Sequence, residues 1–232
     1  GKNIYMVMVS GSGLWNYPSQ ASKPLQMYAT KSTDGGRSWE PVREISSEVY
    51  TDRFPYGGFF GSGNGIITSK GRIMFVAAMR MGANWGGQMD NVLVYSDDQG
   101  KSWHSSPIVR SNGDEAKVIE LSDGSLLVSS RNRASGANER TFVRSRDGGL
   151  TWTAPATWPE LKGNSCNAAL TRYAPVGSSK DSHLLLHTLP TSPTRDHLRI
   201  FLSEDEGKTW GYSRELCRGE AVYSEVVILE DG

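Results

Sequence analysis

Apolar residues in this chain come in short runs that stop at turn residues. The run at 2–10, Lys-Asn-Ile-Tyr-Met-Val-Met-Val-Ser, reads as a buried strand. Runs at 118–121 and 126–130 flank Ser122-Asp-Gly-Ser125 and read as a hairpin closed by Asp123 and Gly124. A last run, 226–229, leads into a second Asp-Gly pair, Asp231-Gly232, which calls for a return strand. The pattern predicts an all-β chain of short strands and tight turns. No apolar run approaches the roughly 20 residues that span a membrane.

Between the runs one motif recurs four times: Ser32-Thr-Asp34-Gly-Gly36-Arg-Ser-Trp39, Ser96-Asp-Asp98-Gln-Gly100-Lys-Ser-Trp103, Ser145-Arg-Asp147-Gly-Gly149-Leu-Thr-Trp152 and Ser203-Glu-Asp205-Glu-Gly207-Lys-Thr-Trp210. The copies begin about 50 to 65 residues apart, a period of about 57, close to that of a four-stranded propeller blade. Each box has the chemistry of a turn. Asp accepts from following amides, Gly takes positive φ, and a hydroxyl ties the loop back. The Trp is expected to wedge between neighbouring blades. The boxes therefore report the fold and carry no chemistry of their own.

Used as a ruler, they locate candidate residues. With Asp123 and Gly124 as central turn residues, Glu115 falls opposite Asn132 and beside Arg131. Superimposing the two Asp-Gly turns aligns Glu115 with Tyr223, each eight residues before its Asp. Counting eight back from the boxes at Ser203 and Ser96 gives Arg195 and Gln88. Equivalent positions of successive blades face one axis, so Glu115, Tyr223, Arg131 and Arg195 are expected to converge. Arg199 competes with Arg195, and the spacing to Leu198 favours Arg195. The glycine-rich stretch Tyr56-Gly-Gly-Phe-Phe-Gly-Ser-Gly-Asn-Gly65 lacks the Lys and helix of a phosphate loop. It is expected to bring backbone and Phe59 or Phe60 to the pocket, with Ser62 at the blade position of Glu115. Gln88 and Asp90 are candidates for polar substrate contacts. Arg80, Arg133 and Arg140 read as surface or blade-edge charges.

Composition narrows the field of functions. With 37% hydrophobic residues, 26 Gly and 10 Pro, the chain suits a turn-rich β fold. Its 25 acidic and 25 basic residues cancel, which gives no steering toward nucleic acid. Cys166 and Cys217 fall in different repeats and make neither a disulfide framework nor a zinc site. The four His show no metal-ligand spacing, and no cofactor is expected.

The boxes, the segment Asp114-Glu-Ala-Lys-Val-Ile-Glu-Leu-Ser-Asp-Gly followed by Arg131, the Arg195-Asp-His-Leu stretch and Ala221-Val-Tyr-Ser224 together resemble the exo-sialidases of the bacterial neuraminidase family. The resemblance covers essentially the whole chain. It implies a six-bladed β-propeller, of which residues 1–232 would form about four blades of a single catalytic domain continuing beyond both ends. It implies that Arg131 and Arg195 grip the carboxylate of sialic acid, that Tyr223 is the nucleophile and that Glu115 is its base. Planar guanidinium groups suit a carboxylate because they offer paired donors and stay charged. A neutral phenol suits an anionic substrate that would repel a carboxylate nucleophile. Sialidases are the tyrosine exception to the two-carboxylate scheme of glycosidases.

The family's first arginine, its acid Asp and a late Glu match nothing here and are expected outside these residues, so the chain alone is expected to be inactive. Sialylated glycans, glycoproteins or glycolipids are the implied substrates, and a secreted, periplasmic or cell-surface location is implied. Two alternatives stand beside hydrolysis: a non-catalytic binding propeller, and a trans-sialidase or anhydro-forming enzyme using the same residues.

Overall fold

The computed structural model of the protein describes residues 3–11, 24–83, 87–133, 139–163, 166–178 and 183–229. They form four antiparallel sheets that follow one another along the chain. In the first, β1 (Ile4–Ser10), β2 (Gln26–Ser32) and β3 (Arg43–Glu44) pair in order. The second pairs β4 (Gly58–Phe60), and separately β5 (Ile66–Ile67), with β6 (Ile73–Arg80), then β7 (Met89–Ser96) and β8 (His104–Ser111). The third holds β9 (Gly113–Glu120), β10 (Leu126–Asn132) and β11 (Thr141–Ser145), with a bridge from Phe142 to Ala156 at the place of a fourth strand. The fourth orders β12 (Ala169–Arg172), β13 (Leu185–Pro190), β14 (Asp196–Ser203) and β15 (Tyr212–Glu220). This is the meander of propeller blades.

Every box follows the strand before the outer one and leads to the blade rim. In all four the Ser Oγ donates to the Asp Oδ1 at 2.8 Å and accepts the amide of the Gly four residues on at 2.8 Å. The Asp then takes the following Ser or Thr amide at 2.9 Å. The glycine at Gly207 has φ 76°, and a Cβ there would press on Leu127 of the preceding sheet at 3.3 Å. Backbone freedom and close packing both require glycine. Trp103 and Trp210 are buried as expected of a wedge, whereas Trp39 is 39% exposed.

Successive sheets stack through alternate residues of the same strands. Ile73 and Ala77 of β6 join Met27, Val92 and Trp103 in one core, while Met74 and Val76 join Val118 and Val128 in the next. Ile119 and Leu127 meet Leu170, Leu185 and Phe201 in a third. A strand buried on both faces reads as a continuous apolar run, which is why 73–79 shows no polar alternation. Polar staples cross the same interfaces. Glu120 takes the Ser69 amide and hydroxyl at 2.6 and 2.8 Å, and Glu206 takes the Ser122 amide and hydroxyl, both at 2.8 Å.

The first strands of the sheets lie side by side. Residues 64–69, 118–120, 170–176 and 225–229 line an open cavity of about 750 Å³ between them. Among the described residues no helix is long and apolar enough to cross a membrane.

The hairpin register differs from expectation by one residue. Leu121 N–H donates to the Ser125 carbonyl at 2.8 Å, so the loop is the three residues Ser122, Asp123 and Gly124. Gly124 carries the positive φ, 79°, that a three-residue loop needs at that place. Ser130 therefore pairs with Ala116 rather than with Lys117. The register shifts between Ser130 and Asn132, so Arg131 lies in a bulge, and Asn132 pairs with Gly113 instead of facing Glu115. The Asp231-Gly232 turn lies outside the described residues.

Candidate active site

Glu115 sits on β9, and Tyr223 sits on the segment that follows β15. Glu115 is buried, and its Oε2 accepts from Arg131 Nη1 at 2.8 Å. The half-exposed Tyr223 lies beside the same carboxylate, which acts on its phenol. Burial, the Glu115 hydrogen bond and the Glu115 charge push the phenol up to about 12, although Arg131 pulls the other way. At neutral pH it is a neutral phenol beside a base. Burial opposes the charge of Arg131, but Glu115 and Asp114 more than offset it and raise its pKa.

Arg195 immediately precedes β14 of the fourth sheet. It has φ 59°, its carbonyl accepts the Ala221 amide at 2.8 Å, and its charge acts on the Cys166 thiol together with those of Arg131 and Glu115. Cys166 is buried, and its Sγ donates to the carbonyl of Val222, next to Tyr223. Arg199 instead turns to the blade rim, where Nη2 donates to Ser213 Oγ at 3.1 Å. Glu115, Arg131 and Tyr223 thus come together, and Arg195 is linked to them through its charge acting on Cys166.

The remaining candidates are placed differently. Gln88 immediately precedes β7 as Arg195 precedes β14; it is exposed, and Nε2 donates to Asp90 Oδ1 at 2.8 Å. Asp90 is fully buried, and the same oxygen takes the Asn112 amide at 3.0 Å. Its oxygens serve the fold. Ser62 is exposed in the loop over β9. A Cβ on Gly61 would lie 3.1 Å from the Glu115 Cα, so backbone does approach the carboxylate strand here. The phenylalanines do not: Phe60 faces Phe75, centroids 6.1 Å apart, and Phe59 packs on Leu25, Ala78 and Met89. Their rings fill the core because the strand alternation points them away from the site.

Two arginines read as surface charges are buried. Arg80 and Arg140 are each 2% exposed, while Arg133 pairs with Asp114 at 2.8 Å. Arg140 lies beneath the site, donating to the Glu115 carbonyl at 3.0 Å. Nothing in its spacing marks it, because its partners come from three separate strand segments. Lys117 and Glu225 were also passed over. The buried Lys117 ammonium stands 3.3 Å from Glu225. This pair was legible: the alignment of Glu115 with Tyr223 also sets Lys117 against Glu225, two residues on and on the same strand face. Among the described residues no group of three or more His, Cys, Asp or Glu could hold a metal ion.

Residues 3–232 match the family described as BNR repeat-like domain. The chain is 33% identical over 208 residues to a sialidase of Micromonospora viridifaciens, a match covering 87% of this chain and 31% of that protein. It is 30% identical over 201 residues to a sialidase of Bacteroides fragilis, covering 84% and 35%. A Hadza microbial sialidase superposes with a TM-score of 0.76 at 25% identity, over 94% of this chain and 43% of that one. Trypanosoma rangeli sialidase superposes with a TM-score of 0.71 over 100% and 39%, and at 18% identity that likeness concerns the fold alone. The chain spans about a third of the length of the curated relatives it matches. Four box-bearing blades and these matches together establish that the chain belongs to the BNR repeat-like domain family and is homologous to the bacterial sialidases.

Proposed function

We propose that the protein is an exo-α-sialidase that removes terminal sialic acid from glycoconjugates with retention. The observation that carries this reading is the closeness of the Tyr223 phenol to the Glu115 carboxylate, which raises its pKa, with Arg131 at 2.8 Å from that carboxylate. Tyr223 Oη attacks the anomeric carbon while Glu115 takes its proton; the glycosidic C–O bond breaks and an acid protonates the leaving oxygen. In the second step the deprotonated acid takes a proton from water, which attacks the anomeric carbon and breaks the C–O bond of the tyrosyl glycoside, and Glu115 returns its proton to the phenol oxygen. Arg131 and Arg195 bind the substrate carboxylate and turn the anomeric carbon toward Tyr223. Gln88 and Ser62 flank the site as further polar contacts, and the arginine and acid that complete the family pattern are assigned to other parts of the protein. Because sialylated glycans are cell-surface and secreted molecules, we place the protein outside the cytoplasm.

The test is turnover of a fluorogenic sialoside by the full-length protein beside its Tyr223→Phe variant. The variant is expected to lose activity by at least about 100-fold, the low end for losing such a group. Full activity in Tyr223→Phe, or binding of sialic acid without turnover by the unmutated protein, would refute the reading.

A further inference from the structure

Arg140 takes no part in the chemistry above, yet its position is unusual. Its Nε donates to Ser129 Oγ at 2.8 Å, Nη1 to the Cys166 carbonyl at 2.7 Å, and Nη2 to the carbonyls of Glu115 and Ser129, each at 3.0 Å. All four acceptors are neutral oxygens. A fully buried guanidinium held by neutral oxygens is a costly way to fill a core. Burial lowers its pKa to about 10, so it is still charged at neutral pH.

The acceptors explain the placement. Glu115 carries the base and lies on the third sheet; Cys166 leads into the fourth. The Cys166 thiol in turn holds the Val222 carbonyl, one residue before Tyr223. One guanidinium thus grips the backbone under the base directly and the backbone beside the nucleophile through a single thiol. Among the described residues the segment bearing Tyr223 has no strand pairing, so single contacts hold it: the Ala221 amide on Arg195, the Ser224 hydroxyl with Thr188 and the Cys166 thiol on Val222. Only a planar fork with donors in fixed directions reaches carbonyls on three segments at once; an ammonium does not.

We infer that Arg140 is a positioning residue that sets the approach of the Glu115 carboxylate to the Tyr223 phenol. The inference rests on the sialidase reading of the same site. It is tested in the full-length protein by measuring Arg140→Lys in two backgrounds, unmutated and Glu115→Ala, with an aryl sialoside. In the unmutated background kcat should fall about 100-fold, the effect of a misplacement near 1 Å. KM should change less than about threefold, because Arg131 and Arg195 still hold the substrate. In the Glu115→Ala background the same substitution should change kcat clearly less, by under about tenfold, since only the hold on the Tyr223 backbone is left to lose.

Equal losses in the two backgrounds, or an unchanged kcat in the first, would overturn the inference. Should Arg140→Lys fail to fold, Ser129→Ala, which removes the Nε anchor together with the 3.2 Å contact of Ser129 Oγ with His187 Nε2, must show the same dependence on Glu115 at a several-fold level. An unmutated protein without sialidase activity overturns both the reading and the inference. An active protein with additive losses overturns the inference alone.

Discussion

Replacing Lys117 by methionine is expected to leave the full-length protein as stable as before or more so, whereas Glu225→Gln should cost about 3 kcal/mol. The Lys117 side chain is 2% exposed and its ammonium stands 3.3 Å from Glu225, which is 27% exposed. At an effective dielectric of about 20 that separation gives an attraction of about 5 kcal/mol. Against it stands the desolvation of the ammonium, several kcal/mol for a buried ion. The balance is visible in the lysine itself: its pKa is lowered, with burial the largest cause and Glu225 only partly compensating. The charged form is thus worse off in the fold than in water, even with its partner.

Methionine removes that penalty at similar volume and leaves Glu225 able to reach water. Glutamine at 225 instead strands a buried charge, which typically costs 3–5 kcal/mol; the partial exposure of Glu225 argues for about the lower end. The double variant should recover most of the loss. Urea unfolding of the three variants gives the free energies. Lys117 also predicts a slope: its folded pKa lies below the unfolded 10.5, so as pH rises through that interval the folded state loses its proton first. The unfolded state then binds more protons, and stability rises with pH relative to Lys117→Met. A Lys117→Met loss of about 3 kcal/mol, or a Glu225→Gln loss under about 1, would refute the reasoning.

Other expectations follow from the boxes and the phenol. Asp34 and Asp147 are held down to about 2 by hydrogen bonds within their boxes, chiefly from Ser38 and Thr151, and Asp98 lower still, chiefly by Ser102. Their stabilisation is complete above the unfolded value of 3.8 and lost as pH falls toward about 2, so acid unfolding should lie in that window and Asp98→Asn should flatten it. An acid transition that Asp98→Asn leaves unchanged would contradict this. Trp103→Ala should cost about 3–5 kcal/mol by chemical denaturation and Trp39→Ala clearly less, following their burial; equal losses would show that the wedges act alike. The phenolate absorbance lost in Tyr223→Phe should titrate near 12 and move down toward 10.0 in Glu115→Ala. No movement would mean that Glu115 does not govern the phenol.

Much of the fold was legible because boxes are local. Asp, Gly and hydroxyl residues close the same turn wherever they stand, so their spacing alone marked the blades, and the same count set Glu115 against Tyr223. The hairpin register was misread because an Asp-Gly pair serves two-residue and three-residue loops alike. Only the amide of Leu121 meeting the carbonyl of Ser125 distinguishes them. That single-residue difference decides whether Ser130 pairs with Ala116 or with Lys117.

Charge placement was less legible. Arg140 sits among polar neighbours in sequence, and nothing local distinguishes it from the exposed Arg37 or Arg218, whereas Arg80 ends the apolar run 73–79. Burial of a charge depends on acceptors brought from distant strands, here the carbonyls of Glu115, Ser129 and Cys166. By itself, then, the sequence determined the repeat, the box turns and the blade positions of Glu115, Tyr223 and Arg195, since each follows from residue type and spacing, while their roles came from the family resemblance. Tertiary structure alone decided which arginines face solvent and which support the site, because that depends on how the sheets stack and which backbone oxygens they leave to be satisfied.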